Sequence, residues 1–536
     1  MKEKFAHWDM LFVQYLKRDW KKIAIWVLGL GLFSAGLVPA FVEIGKGDGT
    51  IAMYETLQNP AMISIVGPTP VETASEYTIG AMYAHEMLLF CGLFAMTISI
   101  LHVIGHTRKE EDLGLTELIR SFQVGRQANS LAVMVETVFI NILLAMLISG
   151  VMINYRIDGI TVGGSVLFGT SIAMAGIVGA GIALVMAQIM PISSSAIGSS
   201  LGIMGFLYII RGVTDISNVK LSMINPLGWF YLTYPFVENR WLPVILASLF
   251  SIIMIIIAFA LEEGRDMGAG YIPQREGRAN AKKSLLSVYG LFIHLNKGVI
   301  ISWLITFFVL GIAYGAIYGD MQGFLESNEL MKRMFAYAGF SIEESFSSTV
   351  MVVMAGLVTI LPIVIVNKLF SEEKNLYLSQ IYGTKVRRRQ LYWTSVSLAI
   401  ITSIIGVFLA AGSLGGTAIS VMENSPMNTM DFLLIGFNLL PTILFFTGLA
   451  ALILGWWPSL GKIVYVYLGY SFFLSYFEGI LDLPEWLIKT TPQSWLPKIP
   501  MEDFNALIFI IITAISIGLM IFGYIGYKRR DMIERA

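Results

Sequence analysis

Residues 110–126 read EEDLGLTELIRSFQVGR, a charged island between two long apolar runs, and residues 372–388 read EEKNLYLSQIYGTKVRR in a similar setting. An offset of 262 residues superimposes the two stretches without a gap and keeps the leading pair of glutamates and the final arginine. One polar feature that occurs twice between apolar runs predicts a membrane protein built by internal duplication.

The composition places the chain among polytopic membrane proteins. Hydrophobic residues make up 56% of it and charged residues only 14%, whereas a soluble domain carries about 25% charged residues. The net charge of -1 says nothing about nucleic acid. Because the basic residues are sorted by membrane side and are not gathered in one patch, no nucleic-acid partner is predicted. The single cysteine, Cys91, lies in an apolar run, which argues against a disulfide framework or a cysteine-based metal site.

Twelve apolar runs have about the 20 residues needed to cross the ~30 Å hydrocarbon core of a bilayer. Lys and Arg are sorted between alternate sides of these runs, with 27 of the 36 on the side that holds both termini. This bias predicts a multi-pass protein of the bacterial plasma membrane with both termini in the cytoplasm. The predicted spans are 23–43, 82–104, 130–153, 163–190, 195–213, 241–261, 298–318, 348–366, 390–411, 430–455, 463–482 and 504–526.

The duplication extends over the whole chain. Arg265-Asp266-Met267 after the sixth span matches Arg530-Asp531-Met532 after the twelfth. We therefore predict an all-α fold with one six-span half at 1–264, a cytoplasmic linker at 265–283 and a second six-span half at 284–536. Because each half has an even number of spans, both enter the membrane in the same direction, as parallel repeats.

An amphipathic segment precedes the first span of each half. Residues 5–18 and 284–297 carry apolar side chains at helical spacing beside basic residues, a pattern typical of a helix that lies in the membrane interface. The alternative is a plain extension of the span that follows. His7 and His294 are interpreted as polar-face residues and not as metal ligands.

The loop at 105–129 begins with acidic residues and ends with basic ones, and the loop at 367–389 repeats this order. Carboxylates in the first turn and arginines in the last turn favour a short helix. Such a helix can offer charge to a cytoplasmic partner. A single copy would be explained as an ordinary positive-inside loop, and the presence of a second copy favours a docking element.

Polar residues inside apolar spans are costly and usually face a cavity or a partner. Arg211 and Glu478 occupy related positions near the outer ends of the fifth and eleventh spans, so we predict either an ion pair between the halves or snorkelling to the outer interface. An Asn-Leu-Leu-Pro-Thr run in the tenth span is either a polar cavity lining or a proline kink without a role. The candidate cavity or intramembrane polar residues are Glu86, Glu136, Arg211, Asn438, Glu478 and Asp482.

The remaining polar segments give little support to an active site. The outer segments 214–240 and 483–503 are rich in aromatic residues, which fits an interfacial belt better than a substrate site. Residues 455–463 superficially resemble a phosphate loop, but they have the wrong spacing before the Gly-Lys pair and isoleucine after it. We therefore expect no enzyme, no catalytic residue and no metal ligand in this chain.

Taken in order, these features resemble the membrane half of a type-2 ABC (ATP-binding-cassette) exporter. Two six-span units in one chain resemble the bacterial permeases of polyketide antibiotics, the tetronasin-type permeases. The resemblance implies that the two loops are coupling helices on two copies of a cytoplasmic ABC ATPase, which binds ATP and Mg while this chain holds no cofactor. The residues implied in coupling are Glu110, Glu111, Glu117, Arg120, Arg126, Glu372, Glu373, Arg387 and Arg388.

The resemblance also implies alternating access through a cavity lined by the second, fifth, eighth and eleventh spans. The implied cargo is a hydrophobic small molecule, a peptide or a lipid, moved outward across the bilayer. Gly114 and Glu117 of the first loop are replaced by Leu376 and Ser379 in the second, so the two ATPase contacts are expected to differ.

Two other functions fit the same pattern. Twelve spans in two parallel halves also describe an ion-coupled secondary transporter of major-facilitator-like architecture, although few carboxylates lie in the middle of the spans. A membrane sensor or scaffold that recruits an ATPase without transport is the third hypothesis. An ATPase gene beside this one, or ATP hydrolysis without substrate movement, would discriminate among the three.

Overall fold

The computed structural model describes residues 2–47, 49–58, 60–273, 280–320, 340–422, 426–477 and 484–531. These residues form helices and no strand, which confirms the predicted all-α fold. The chain separates into two compact units, Met1–Gly277 and Arg278–Ala536. Each unit has a buried apolar core of its own.

Six long helices make up the described part of the first unit, and short helices fill the connections between them. The long helices are α1 Trp8–Gly36, α2 Ile79–His106, α3 Ala128–Tyr155, α4 Val162–Ile189, α5 Ser193–Ser217 and α6 Leu242–Gly264. The short α-helices are Val38–Ile44, Gly49–Leu57, Pro60–Val66, Arg108–Asp112, Leu115–Arg120, Val219–Ser222 and Gly228–Tyr231, with 3-10 turns at Lys2–Phe5 and Ala74–Glu76.

The described part of the second unit has the same plan. Its long helices are α7 Val288–Ala316, α8 Ile342–Lys374, α9 Arg388–Val421, α10 Thr429–Trp456, α11 Ile463–Phe477 and α12 Ala506–Arg529. Its short helices are Tyr377–Tyr382 and Glu485–Ile488, with 3-10 turns at Lys283–Leu286, Ile317–Asp320, Pro458–Leu460 and Pro492–Trp495.

The helices of the two units pack in the same order. In the first unit α1 packs on α3, and α4 packs on α2, α3 and α6; in the second, α7 packs on α9, and α10 packs on α8, α9 and α12. Gly179 of α4 lies so close to α2 that a Cβ there would come within 2.6 Å of Met96 Cγ, and Gly523 of α12 lies against the carbonyl of Ala451 in α10. Glycine at these crossings lets the helix backbones approach.

Eleven helices in the described part of the chain are long and apolar enough to cross a membrane, against twelve predicted spans. The difference concerns the predicted span 463–482. Helix α11 has 15 residues, and the remaining residues of this predicted span, 478–482, lie outside the described part of the chain.

The placement of the segments 5–18 and 284–297 in the membrane interface stays a prediction. A 3-10 turn precedes α1 and α7, and from Trp8 and Val288 onward the rest of each segment is continuous with the helix of the apolar span. Between the amphipathic part of α1 and its span, residues 17–23 include no glycine or proline that would end a helix. The acidic residue there, Asp19, is held by Arg18 and Lys22 of the same helix at 2.8 and 2.5 Å.

Candidate functional site

The candidate site consists of the two segments predicted as loops, 105–129 and 367–389, which begin in the last turns of α2 and α8, so that Glu372 and Glu373 still belong to α8. The first loop forms the helices Arg108–Asp112 and Leu115–Arg120 around Gly114, whose φ is 73°. The second forms Tyr377–Tyr382 after Leu376, which aligns with Gly114 and has a φ of 63°. A left-handed conformation costs a non-glycine residue roughly 1–2 kcal/mol. The second loop therefore keeps the turn even though it lacks the glycine.

The second glutamate of each loop binds an arginine at the end of the last long helix of its unit. Glu111 accepts hydrogen bonds from both terminal nitrogens of Arg265, at 2.8 and 2.7 Å, and from the Gly268 N–H at 2.6 Å. Glu373 accepts two bonds from Arg530 in the same way, at 2.7 and 2.5 Å. We call each of these pairs a loop clamp. Because bidentate arginine–carboxylate pairs are strong and directional, the clamps hold each loop to the end of α6 or α12.

The arginine at the far end of each loop adds a second attachment to the same helix. Arg126 donates to the backbone carbonyls of Glu262, at 3.1 Å, and Arg265. Arg388 donates to the carbonyl of Arg530 at 2.7 Å. Both ends of each loop are thus fastened to the end of one long helix, so a displacement of the loop also moves that helix.

The first glutamate of each loop has different partners in the two units. Glu110 Oε1 lies 2.8 Å from Arg18 Nη1 and 3.3 Å from His106 Nδ1. Glu372 instead pairs at 2.8 Å with Lys368, the residue that aligns with His106. The first loop is therefore also tied to α1, whereas Glu372 forms its ion pair within α8.

All four glutamates point into their own unit. Glu110, Glu372 and Glu373 are 5%, 6% and 4% exposed, and the side chain of Glu111 is 7% exposed. This orientation corrects the sequence-based view that the acidic pair faces a partner, because each carboxylate is neutralised by a cation of the same unit. A role for these residues in coupling stays a prediction, in which they connect each loop to other helices of the same unit.

The surface that the first loop exposes includes four large apolar side chains. Leu113, Leu115, Leu118 and Phe122 are between 44% and 69% exposed, and Glu117 is exposed beside them. We call these four apolar side chains the apolar loop face. The second loop exposes fewer large apolar groups, and its exposed residues include Leu376, Tyr377 and Arg387.

A salt bridge in the first unit is replaced by a tyrosine pair in the second. Arg120 Nη2 lies 3.9 Å from Glu262 Oε1, and burial lowers the pKa of Arg120 although the Glu262 carboxylate opposes this. Tyr382 aligns with Arg120, and its hydroxyl lies 3.0 Å from that of Tyr527. Burial raises the pKa of Tyr382. The two loops thus share a geometry but differ in charge.

Arg211 finds its partner within its own unit. Its fully buried side chain donates to Asp215 at 3.0 Å. Asp215 also accepts hydrogen bonds from Tyr231, at 2.6 and 2.7 Å, and from Ser222 at 2.5 Å. Burial raises the pKa of Tyr231, so its hydroxyl remains a donor. The charge of Arg211 is therefore balanced locally and does not require snorkelling, while its other predicted partner, Glu478, lies outside the described residues.

The other candidate polar residues are not gathered at one place in the described part of the chain. Glu86 is partly buried near the start of α2, and Glu136 in α3 is fully buried. Asn438 donates to the carbonyl of Pro497 at 2.8 Å, which ties α10 to the outer segment and argues against an open cavity lining. The remaining candidates, Glu478 and Asp482, lie outside the described residues.

Sequence reasoning overlooked several charged residues around the end of α2. The Arg108 side chain is fully buried and donates to three backbone carbonyls, and Arg18 and Asp19 reach this region from α1. Sequence reasoning also missed the His-x-x-x-His pair that His102 and His106 form. The four-residue spacing would have placed both imidazoles on one helix face.

The described residues define an all-α, multi-pass membrane protein in which two loops of similar geometry are each fastened to a long helix. Residues 285–528 match the family model "Multidrug efflux system permease Rv1217c, C-terminal domain". The chain is 25% identical over 535 residues to the "Multidrug efflux system permease protein Rv1217c" of Mycobacterium tuberculosis, an alignment that covers 97% of this chain and 94% of that protein. This homology supports an efflux permease, and it does not support the narrower tetronasin-type subclass.

Proposed function

We propose that this chain is the membrane-spanning permease subunit of an ATP-driven exporter. A separate cytoplasmic ABC ATPase, present in two copies, binds ATP and Mg and drives alternating access. Both chain termini and both loops face the cytoplasm. The similarity to a protein named as a multidrug efflux permease supports export, and hydrophobic small molecules, peptides and lipids are the proposed classes of cargo.

The observation that carries this proposal is the loop clamp, which is present once in each unit. Glu111 with Arg265, and Glu373 with Arg530, join a loop to the end of a long helix over separations of 154 and 157 residues. A subunit that pushes on the loop therefore displaces the last long helix of that unit as well. This is the mechanical requirement for carrying motion from a soluble ATPase into a helical membrane domain.

The apolar loop face supports a protein partner. Leu118 and Phe122 are 63% and 69% exposed at a loop whose charged residues are mostly paired inside the unit. Exposed apolar groups surrounded by polar residues mark protein interaction sites. Glu117 and Arg387 are exposed as well, and they remain candidates for polar contacts at the edge of the two docking sites.

The proposal is tested by reconstitution. The chain is placed in liposomes with its cognate ABC ATPase, and uptake of a fluorescent hydrophobic cation into inside-out vesicles is followed. We expect transport that requires ATP, is lost when the ATPase carries a substituted phosphate-loop lysine, and persists when a protonophore collapses the ion gradient. Hydrolysis without transport for any tested cargo would favour the sensor or scaffold hypothesis.

An ion-coupled secondary transporter is the second candidate, because one buried carboxylate lies beside histidines. Glu136 is 0% exposed, and its Oε2 is 3.2 Å from His102 Nε2. Buried ionisable residues in membrane helices often belong to proton pathways. In the same vesicles, transport driven by a pH gradient without the ATPase, and abolished by the protonophore, would establish this function and exclude the ATP-driven one.

A further inference from the structure

Three potential metal ligands converge where α2 and α3 approach each other. His102 and His106 lie one helical turn apart on α2, and Glu136 lies on α3. One ligand atom of each residue lies within 4.8 Å of the ligand atoms of the other two. The centroids of the His102 and His106 imidazole rings are 4.4 Å apart. Both histidines and the glutamate are therefore able to contact a single ion.

One carboxylate oxygen of Glu136 has no hydrogen-bond partner among the described residues. Glu136 is 0% exposed, and its Oε2 lies 3.2 Å from His102 Nε2. Its Oε1 is buried and has no hydrogen-bond partner among the described residues. A buried polar atom without a partner is uncommon because it loses the free energy of hydration without compensation. A cation held between Glu136 and the histidines would satisfy this oxygen.

The surroundings of His106 supply further negative charge. His106 Nε2 lies 3.5 Å from Asp19 Oδ2, and its Nδ1 lies 3.3 Å from Glu110 Oε1. Arg18 Nη2 is also 2.5 Å from Nδ1, so Nδ1 accepts from Arg18 when no ion is bound. If a metal took Nε2 and Arg18 moved away from Nδ1, Nδ1 would carry a proton and donate a hydrogen bond to Glu110, which is how a carboxylate commonly supports a metal-bound histidine.

We propose that His102, His106 and Glu136 bind one divalent transition-metal ion of the Zn²⁺ class. Two imidazoles and one carboxylate form a common three-residue ligand set for this ion and leave the fourth position to water or to Asp19. Ligand atoms around tetrahedral zinc are roughly 3.3 Å apart, as follows from bond lengths of about 2.0–2.1 Å. Because the three ligand atoms lie within 4.8 Å of one another, side-chain rotations that shorten these separations by up to about 1.5 Å reach this value.

The site belongs to the first unit alone. At the offset of 262 residues, Val364, Lys368 and Leu398 stand where His102, His106 and Glu136 stand in the first unit. None of these three side chains is a zinc ligand in its usual charge state. The bound ion would join α2 to α3 at the base of the first loop, and the second loop would have no equivalent link.

The proposal is tested on the purified full-length chain in lipid nanodiscs after treatment with a chelator. Titration with ZnCl₂, followed by calorimetry, is expected to give one bound equivalent, and X-ray absorption at the zinc edge is expected to show two imidazoles and a carboxylate. His102→Ala and the isosteric Glu136→Gln should each weaken binding at least about tenfold. The exposed His294 provides the control, since His294→Ala should leave the affinity unchanged.

Two results would overturn the proposal. The first is that the wild-type chain binds no more zinc than the His102→Ala variant does, which would leave the cluster as a hydrogen-bonded network only. The second is an absorption spectrum of the wild-type protein that lacks imidazole ligands. Because this spectrum needs no substitution, the test stands even if a variant fails to fold.

Discussion

Glu111 and Arg265 face each other across two parallel hydrogen bonds of 2.8 and 2.7 Å, although 154 residues separate them in the chain. Glu373 and Arg530 form the same pair in the second unit. In both units the pair joins the loop after the second long helix to the end of the sixth. The repeated charged loop is therefore an attachment point inside each unit as well as the proposed surface for a partner.

The loop clamp should contribute to the stability of the first unit. In a Glu111→Gln variant, Arg265 keeps its charge in a buried position without a carboxylate partner. Removing one partner of a buried ion pair lowers the free energy of unfolding by about 3 kcal/mol. We expect a lower denaturant midpoint for the detergent-purified protein, measured by tryptophan fluorescence. Glu485→Gln is the matched control because its ion pair with Lys489 is exposed, and it should unfold like wild type. An unchanged midpoint for Glu111→Gln would show that the clamp carries no net stabilisation.

The apolar loop face should be needed for ATPase binding. Leu118→Asp and Phe122→Asp place a charge where apolar contact with the partner is proposed, so co-purification of the ATPase should fall at least tenfold while membrane insertion is unaffected. Leu286, which is 79% exposed outside the loops, supplies the control substitution Leu286→Asp. Equal recovery of the ATPase with all three variants would contradict docking on this face.

The salt bridge between Arg120 and Glu262 should be replaceable by the tyrosine pair of the second unit. Glu262→Tyr alone leaves Arg120 without its anionic neighbour, whereas Arg120→Tyr combined with Glu262→Tyr copies the arrangement of Tyr382 and Tyr527, whose hydroxyls are 3.0 Å apart. We therefore expect the double variant to be more stable than the single Glu262→Tyr variant, as measured by a double-mutant cycle of thermal unfolding. Additive effects would mean that the two positions act independently.

The proposed orientation predicts which residues can be labelled from outside the cell. Cys91 is buried, and Cys91→Ala provides a background without cysteine. Ser121→Cys and Thr73→Cys both place a thiol at an exposed position, the first in the loop after α2 and the second before α2. A membrane-impermeant maleimide should label Thr73→Cys in intact cells and label Ser121→Cys only after lysis. The reverse pattern would place both termini outside.

Most of the fold was predicted from the apolar runs and from the internal repeat. Each long helix covers a run that is visible in the sequence, because about 20 apolar residues suffice to specify a membrane span. The amphipathic periodicity at 5–18 predicted a helix, but periodicity does not fix the direction of the helix axis relative to the membrane, so the interfacial placement stays a prediction. Trp8 and the residues that follow extend the span directly.

The candidate site was predicted only in outline. The matching Arg265 and Arg530 were visible in the sequence, but nothing in their spacing indicated that they bind Glu111 and Glu373. For Arg211 the sequence left open an ion pair with the other half or snorkelling, whereas the structure pairs it with Asp215, four residues away on the same helix. The pairing of Arg211 with Asp215 could have been predicted from their four-residue spacing, since residues at this spacing are neighbours on one face of a helix.

The sequence by itself determined that this is a multi-pass helical membrane protein with a repeated charged loop, because hydrophobicity and repetition are properties of order along the chain. Only the tertiary structure decided which way the charges of that loop point. A buried carboxylate is stabilised by a nearby cation. Glu110 pairs with Arg18, which is 92 residues away in the chain, and Glu111 pairs with Arg265, which is 154 residues away. Their distance in sequence hides the contact, and the packing of α1, α2 and α6 creates it.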